Sequence, residues 1–165
     1  ASGISGTDPM RVAGWTALLV LAIDQITKLY VIHALELDRR HAIDVWPPFF
    51  NLRMAWNRGV NFGLMAGDSA LTRWLLVGLA LAISAGVWIW VRRQPWNLTV
   101  QLSTGLLIGG ALGNVIDRLL YGAVADFINM SCCGIDNPFA FNVADVAIFA
   151  GAAGLVLFSG RDKTS

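Results

Sequence analysis

Charge is what this sequence has least of: 14% of its 165 residues are Asp, Glu, Lys or Arg, against about 25% in a soluble domain. With 56% hydrophobic residues and a mean hydropathy of +0.59, that shortfall points to a membrane protein. The formal net charge is +1, without a basic run or an aromatic-interleaved basic patch; nothing points to a nucleic-acid partner. Sulfur is as scarce. Cys132 and Cys133 are neighbours, a separation at which ordinary disulfide geometry is hard to reach, and no CxxC or Cys/His spacing accompanies them. Metal, thiol and cofactor chemistry are therefore not expected. The two histidines, His33 and His41, lie in or near a polar connector without a paired nucleophile, and read as surface residues. No cleavable signal peptide is evident, because the first apolar segment contains Asp24 and Lys28 and lacks a cleavage pattern. It reads as a retained anchor. Residues 1–9 read as a leftover of expression and are set apart from the domain, which is expected over 10–165.

Four apolar spans are expected, at about 15–32, 71–91, 98–120 and 139–158. In the first, Asp24, Thr27 and Lys28 share one helical face, and Asp24 stands one turn before Lys28, the favourable order for an ion pair. Pairing alone could account for both. Small residues recur every fourth position in the later spans: Gly78, Ala82 and Gly86; Gly105, Gly109 and Gly113; Ala147 with Gly151 and Ala150 with Gly154. Such stripes let helices approach closely, and packing explains them.

Residues of about 34–70 differ in kind. Pro47-Pro48 forbids a helix. Phe50, Leu52, Met54 and Trp56 alternate with Asn51, Arg53 and Ala55, the period of a half-buried strand. Asn57-Arg58-Gly59 can turn the chain, after which Val60, Phe62 and Leu64 alternate again. A small antiparallel sheet outside the hydrocarbon is expected, with an ordinary connecting hairpin as the plainer alternative.

The informative stretch is Gly105 to Asp145. Asn114, Asp117 and Arg118 close the third span, Asp126 follows in a short loop, and Asn142 and Asp145 open the fourth. Acids cost about 2.5–3.5 kcal/mol each at a membrane-helix centre. Capping and solvation would explain any one of these carboxyls, but their gathering suggests a site. With four spans, this cluster, the end of the first span and the strand-forming connector all share one membrane face. Two carboxyls in a poorly solvated place, Asp126 and Asp145, would share a proton and could activate water and protonate a leaving amine. Asp117 with Arg118 reads as an acid compensated by its neighbourhood, and Asn142, three residues before Asp145, could hold that carboxyl by a hydrogen bond. Lys and Arg divide evenly: Arg11, Arg92, Arg93, Arg161 and Lys163 on the terminal side, Arg39, Arg40, Arg53, Arg58 and Arg73 on the other. Charge therefore does not orient the protein.

The segments DQITK (Asp24 to Lys28), NRGVNFG (Asn57 to Gly63), GGALGNVIDR (Gly109 to Arg118), GAVADF (Gly122 to Phe127) and FNVAD (Phe141 to Asp145), in this order among four spans, resemble signal peptidase II. That family comprises the aspartyl membrane peptidases of bacterial lipoprotein processing. The resemblance implies a mainly α membrane protein, a four-transmembrane-helix bundle with a small extracytoplasmic β region. It implies that Asp126 and Asp145 are catalytic, and that Asp24, Lys28, Asn57, Gly59, Phe62, Asn114, Asp117, Arg118 and Asn142 support them or contact substrate. The implied substrate is a diacylglyceryl-modified prolipoprotein cut just before its lipidated cysteine. Also implied are the bacterial inner membrane with both termini cytoplasmic and the site extracytoplasmic, contact with membrane lipid, and inhibition by globomycin-type cyclic peptides. Asn61 departs from the small apolar residue many members carry, which bears on the lining of the loop. Two readings of other classes stand beside it: a transporter or channel subunit using the acids as a proton relay, which would need polar residues continuing down the spans, and an assembly protein whose glycine stripes bind partner helices.

Overall fold

The computed structural model describes residues 9–59, 69–93 and 97–160. Residues 1–8 and the expected second strand over Val60–Leu64, with Asn61 and Phe62, lie outside them.

Helix α1 (Pro9–Leu29) opens on a proline, whose missing N–H costs nothing at a helix start. It passes into a single π turn, Tyr30–Ala34, closed by Leu35 N donating to Tyr30 O at 3.0 Å. A one-turn helix, α2 (Leu37–Arg40), follows between two left-handed residues, Glu36 and His41. Strands β1 (Ala42–Trp46) and β2 (Phe50–Asn57) form a hairpin turned at Pro47-Pro48, whose peptide bond is cis. Two long helices come next, α3 (Ser69–Arg92) and α4 (Leu98–Tyr121), then β3 (Val124–Asn129) and α5 (Val143–Phe158).

Three helices, α1 with its π turn, α3 and α4, are long and apolar enough to cross a membrane. Helix α5 is apolar but has 16 residues, about 24 Å of helix. It begins at Val143, because Phe139–Phe141 are spent on a loop that returns to pair Phe141 with Ile128.

Helix α4 is the central one. Its Gly105 lies against Ala13 and Thr16, and Gly109 against Ala17 and Val20, so α1 runs parallel to it. Gly110 meets Ala144 and Ile148, while Gly151 meets Ser103 and Leu107, so α5 runs back antiparallel. A side chain at any of these four glycines would strike a neighbour's backbone or Cβ, the close approach expected of small-residue stripes. Gly78 and Gly86 of α3 differ: a Cβ at either would meet nothing within 4 Å. The stripe read in the second span packs against no neighbour there.

The sheet has the order β1-β2-β3, antiparallel throughout. Both partners of β2 depart from the sequence reading. Strand β1 lies in a stretch read as polar and turn-like, since four of its five residues are exposed and give no buried face. Strand β3, expected as a loop, is buried on nearly every residue, which erases the period-2 signature. Asp126 therefore stands on a strand, opposite Ala55 of β2.

Two apolar clusters bracket the polar residues. Val91, Val100, Leu107, Ile108 and Leu155 form one, with Met10 and Phe158 packed on it, so the start of α1 and the end of α5 lie together. The other joins Val31, Leu37, Leu52 and Phe127 under the sheet. Fully burying Leu37 alone stabilises this junction by about 1.5–3 kcal/mol. Along α1, Ala17 belongs to the first cluster and Val31 to the second; Asp24 and Lys28 fall between.

Cys132 and Cys133 are joined in a disulfide, with Cα atoms 3.7 Å apart. Adjacent cysteines thus pair here, against the sequence expectation; their segment forms a tight turn in which Cys133 and Gly134 take positive φ and Cys132 pairs with Ile135.

Candidate active site

The buried charges begin with Lys28. Its Nζ donates to Asp24 Oδ2 at 2.8 Å and Asn114 Oδ1 at 3.3 Å, and lies 2.7 Å from Asp117 Oδ2. All four side chains are buried. A buried charge must be paired and hydrogen-bonded to be tolerated, and each carboxylate has further donors. Asp24 Oδ1 accepts from Ala144 N at 2.9 Å, fixing the first turn of α5 on α1. Asp117 Oδ2 accepts from Ala125 N at 3.1 Å, fixing β3 on α4. Gln25, which the sequence did not single out, donates to Asp117 Oδ1 at 3.1 Å and Asp24 Oδ2 at 3.2 Å. The i, i+4 pair is real, and it reaches beyond its own helix.

Arg118 is not the partner of Asp117. Its Nη1 donates to Asn114 O at 3.3 Å and its buried Nε has no hydrogen-bond partner. The cation in direct contact with Asp117 is Lys28, remote in sequence, while Arg118 lies close enough to feel its charge.

Above this framework sit Asp126 and Asp145. Asp126 Oδ2 accepts from Asn57 Nδ2 at 3.1 Å, and its Oδ1 from Asn142 Nδ2 at 2.8 Å. Asp145 Oδ1 accepts from Asn114 Nδ2 at 3.0 Å, and its Oδ2 from the backbone N of Asn142 at 3.3 Å. Asn142 is the N-cap of α5 and Asp145 its third residue, a reciprocal capping box: Asn142 Oδ1 accepts from Asp145 N at 2.9 Å. Asn142 does hold the Asp145 carboxyl, through its backbone N–H, which leaves its side-chain amide for Asp126.

Among the described residues neither carboxyl forms an ion pair; amides surround both. Asp126 is 4% exposed. Burial first, and the charge of Asp145 second, push its pKa up to about 6. A carboxyl so placed holds its proton to higher pH than an ordinary aspartate and can exchange it with a base beside it.

Asn57 is oriented by its own turn, its Oδ1 accepting from Gly59 N at 2.9 Å. Gly59 takes φ +108°, and a Cβ there would press on Leu76 and Thr72 of α3. Of the sequence-derived site residues, Asp24, Lys28, Asn57, Gly59, Asn114, Asp117, Asp126, Asn142 and Asp145 form one connected network. Arg118 borders it, and Phe62 lies outside the described residues. His33 and His41 are exposed.

An apolar cavity of about 400 Å³ runs between α3 and α4, from Ile83 and Leu107 up to Asn114 and Arg118.

A family model described as signal peptidase (SPase) II matches residues 16–160. The lipoprotein signal peptidase of Methylobacterium sp. (strain 4-46) is 44% identical over 142 residues, spanning 86% of this chain and 84% of that protein. The lipoprotein signal peptidase of Pseudomonas putida is 40% identical over 152 residues, spanning 92% and 88%. A solved structure described as a bacterial membrane enzyme superposes with a TM-score of 0.74 at 28% identity, covering 92% of this chain and 89% of its own.

Proposed function

The chain belongs to the signal peptidase II family, and we propose that it removes the signal peptide from diacylglyceryl-modified prolipoproteins by aspartyl chemistry, cutting just before the lipidated cysteine. The observation that carries the chemistry is the single residue, Asn142, that ties Asp126 and Asp145 into one unit. Asp145 takes a proton from water as the water attacks the scissile carbonyl. Asp126, whose proton is held more tightly by burial beside a second acid, donates it to the carbonyl oxygen. As the C–N bond breaks, Asp145 passes the proton taken from water to the leaving amine, and Asp126 takes its own back from the collapsing diol. The atoms balance: water is divided between the two new termini, and the pair returns to sharing one proton. No metal enters this scheme.

The remaining residues position. Lys28 with Asp24 and Asp117 locks α1, α4, α5 and β3 together beneath the carboxyls. Asn57, at the end of β2, holds Asp126 of the adjoining strand β3 through its side-chain amide. The substrate's signal helix lies along the apolar cavity between α3 and α4, which leads up to Asn114. The sheet clamps the extended segment beyond it.

The proton-relay reading fares worse. Every buried carboxyl lies at one end of the bundle, and Gly105 to Gly113 of α4 carries no polar side chain. A relay needs titratable groups along its path.

We further propose that 10–165 forms one integral domain, that α5 is the fourth span, and that the sheet face is extracytoplasmic with both termini cytoplasmic in the bacterial inner membrane. Globomycin-type cyclic peptides would then compete at the carboxyls. The test is to incubate the purified chain with a prolipoprotein in lipidated and unlipidated forms and to weigh the products. Cleavage of the lipidated form alone, leaving an N-terminal modified cysteine, is expected; cutting elsewhere, or none, would reject the reading.

A further inference from the structure

Two arginines outside the carboxyl network have no counter-charge among the described residues. Arg58, just after β2, and Arg73, near the start of α3, line one open cavity of about 570 Å³ with Trp56, Tyr121, Gly122 and Asp38. Among the described residues neither arginine forms an ion pair. Arg73 lies over the ring of Trp74, 5.0 Å from its centroid, yet its buried Nε has no hydrogen-bond partner. A guanidinium presents a rigid fork of donors suited to phosphate or carboxylate oxygens, and a buried donor left unmade is costly. Asp38, the acid among the described lining residues, is already engaged by Trp56 Nε1 at 2.8 Å.

The cavity is built at the junction of water and hydrocarbon. The rings of Trp56 and Tyr121 stand 5.3 Å apart in its wall, residue types that favour the membrane interface. Gly122 ends α4 with φ +75°, and the Arg73 guanidinium lies beside it, within van der Waals contact of where a Cβ would stand. Beside it, Leu71 and Leu75 of α3 and Leu119 and Leu120 of α4 are exposed. Cationic forks next to leucines match an amphiphile with a phosphate at its head better than a free anion.

We propose that this cavity binds the phosphodiester of an anionic phospholipid, with the acyl chains lying along those leucines. The site would hold an annular lipid at the mouth of the peptidase. It rests on the membrane reading of the chain but not on the roles of Asp126 and Asp145.

The experiment is native mass spectrometry of the full chain, released from detergent containing equal amounts of phosphatidylglycerol and phosphatidylcholine with identical chains. Phosphatidylglycerol should be retained about tenfold over phosphatidylcholine, and Arg73→Gln or Arg58→Gln should each erase that preference, about the worth of one charged hydrogen bond. Arg73→Lys should keep part of it. Arg58 is exposed, so Arg58→Gln keeps the test decisive if Arg73→Gln does not fold. Equal retention of the two lipids, or a preference that survives in the double Gln variant, would overturn the proposal. Displacement of phosphatidylglycerol by inorganic phosphate alone would assign the cavity to a free anion and overturn the lipid reading as well.

Discussion

Asn142 donates its side-chain amide to Asp126 at 2.8 Å while capping the helix that carries Asp145. Two jobs thus rest on one residue, and they can be separated. Serine caps a helix about as well as asparagine but cannot span to Asp126. Asn142→Ser should keep most of the thermal stability and lose about one to two decades in turnover, the worth of a charged hydrogen bond. Asn142→Ala should lose the same rate and about 1 kcal/mol more stability. Thermal melts beside single-turnover rates make the comparison; an Asn142→Ser enzyme with unchanged turnover would deny the amide its role.

The pKa of Asp126 gives a pH dependence with a definite sign. Its folded value, about 6, lies above the ordinary 3.8. The folded protein therefore holds that proton more tightly than the unfolded chain does. The stabilisation is complete below about pH 4 and is lost as pH rises through about 6, on the order of 3 kcal/mol in all. Wild type should fall in melting temperature relative to Asp126→Asn across that window. Parallel curves from about pH 4 to 7 would mean that Asp126 is not a protonated buried acid.

Lys28 and Arg118 should respond in opposite ways. Lys28→Met strands Asp24 and Asp117 without their cation, and breaking a buried pair costs about 3–5 kcal/mol. Adding Asp117→Asn should recover part of that. Arg118→Met leaves both ion pairs intact and should be much the milder change. Should Arg118→Met melt as early as Lys28→Met, the assignment of Lys28 as the compensating charge fails.

Sequence reading reached the three long helices, the Asp24–Lys28 face and the α4 glycines, because periodicity and apolar length are local signals; the roles of the residues in the carboxyl network came with the family resemblance. It missed β1, which has no buried face, and β3, whose burial on both faces removes alternation. It did not pair Asp117 with Lys28, since that contact depends on how α1 docks on α4. Gln25 went unread for the same reason: it lies off the face defined by Asp24 and Lys28 and becomes part of the network only when α4 arrives. The α3 stripe looked like a packing seam, but none of the described residues stands within 4 Å of where a Cβ at Gly78 or Gly86 would project.

Gly59 tests the sheet as part of the site. With φ +108° and Leu76 and Thr72 in the way of any side chain, Gly59→Val must displace the turn that orients Asn57. Turnover should fall by at least the effect of Asn57→Ala, about tenfold or more, while the helices keep their circular dichroism. Normal kinetics in both variants would reduce this turn to a tether.

The central claim is that Asp126 and Asp145 work as one catalytic pair, and single-turnover cleavage of a lipidated prolipoprotein by Asp126→Asn and Asp145→Asn tests it most directly. The amide keeps the shape of each side chain but cannot exchange the shared proton. Each variant should remain folded and lose about 100- to 10,000-fold in rate, and the double variant should lose little more than either single one. A folded variant that cleaves within about tenfold of wild type would contradict the pair.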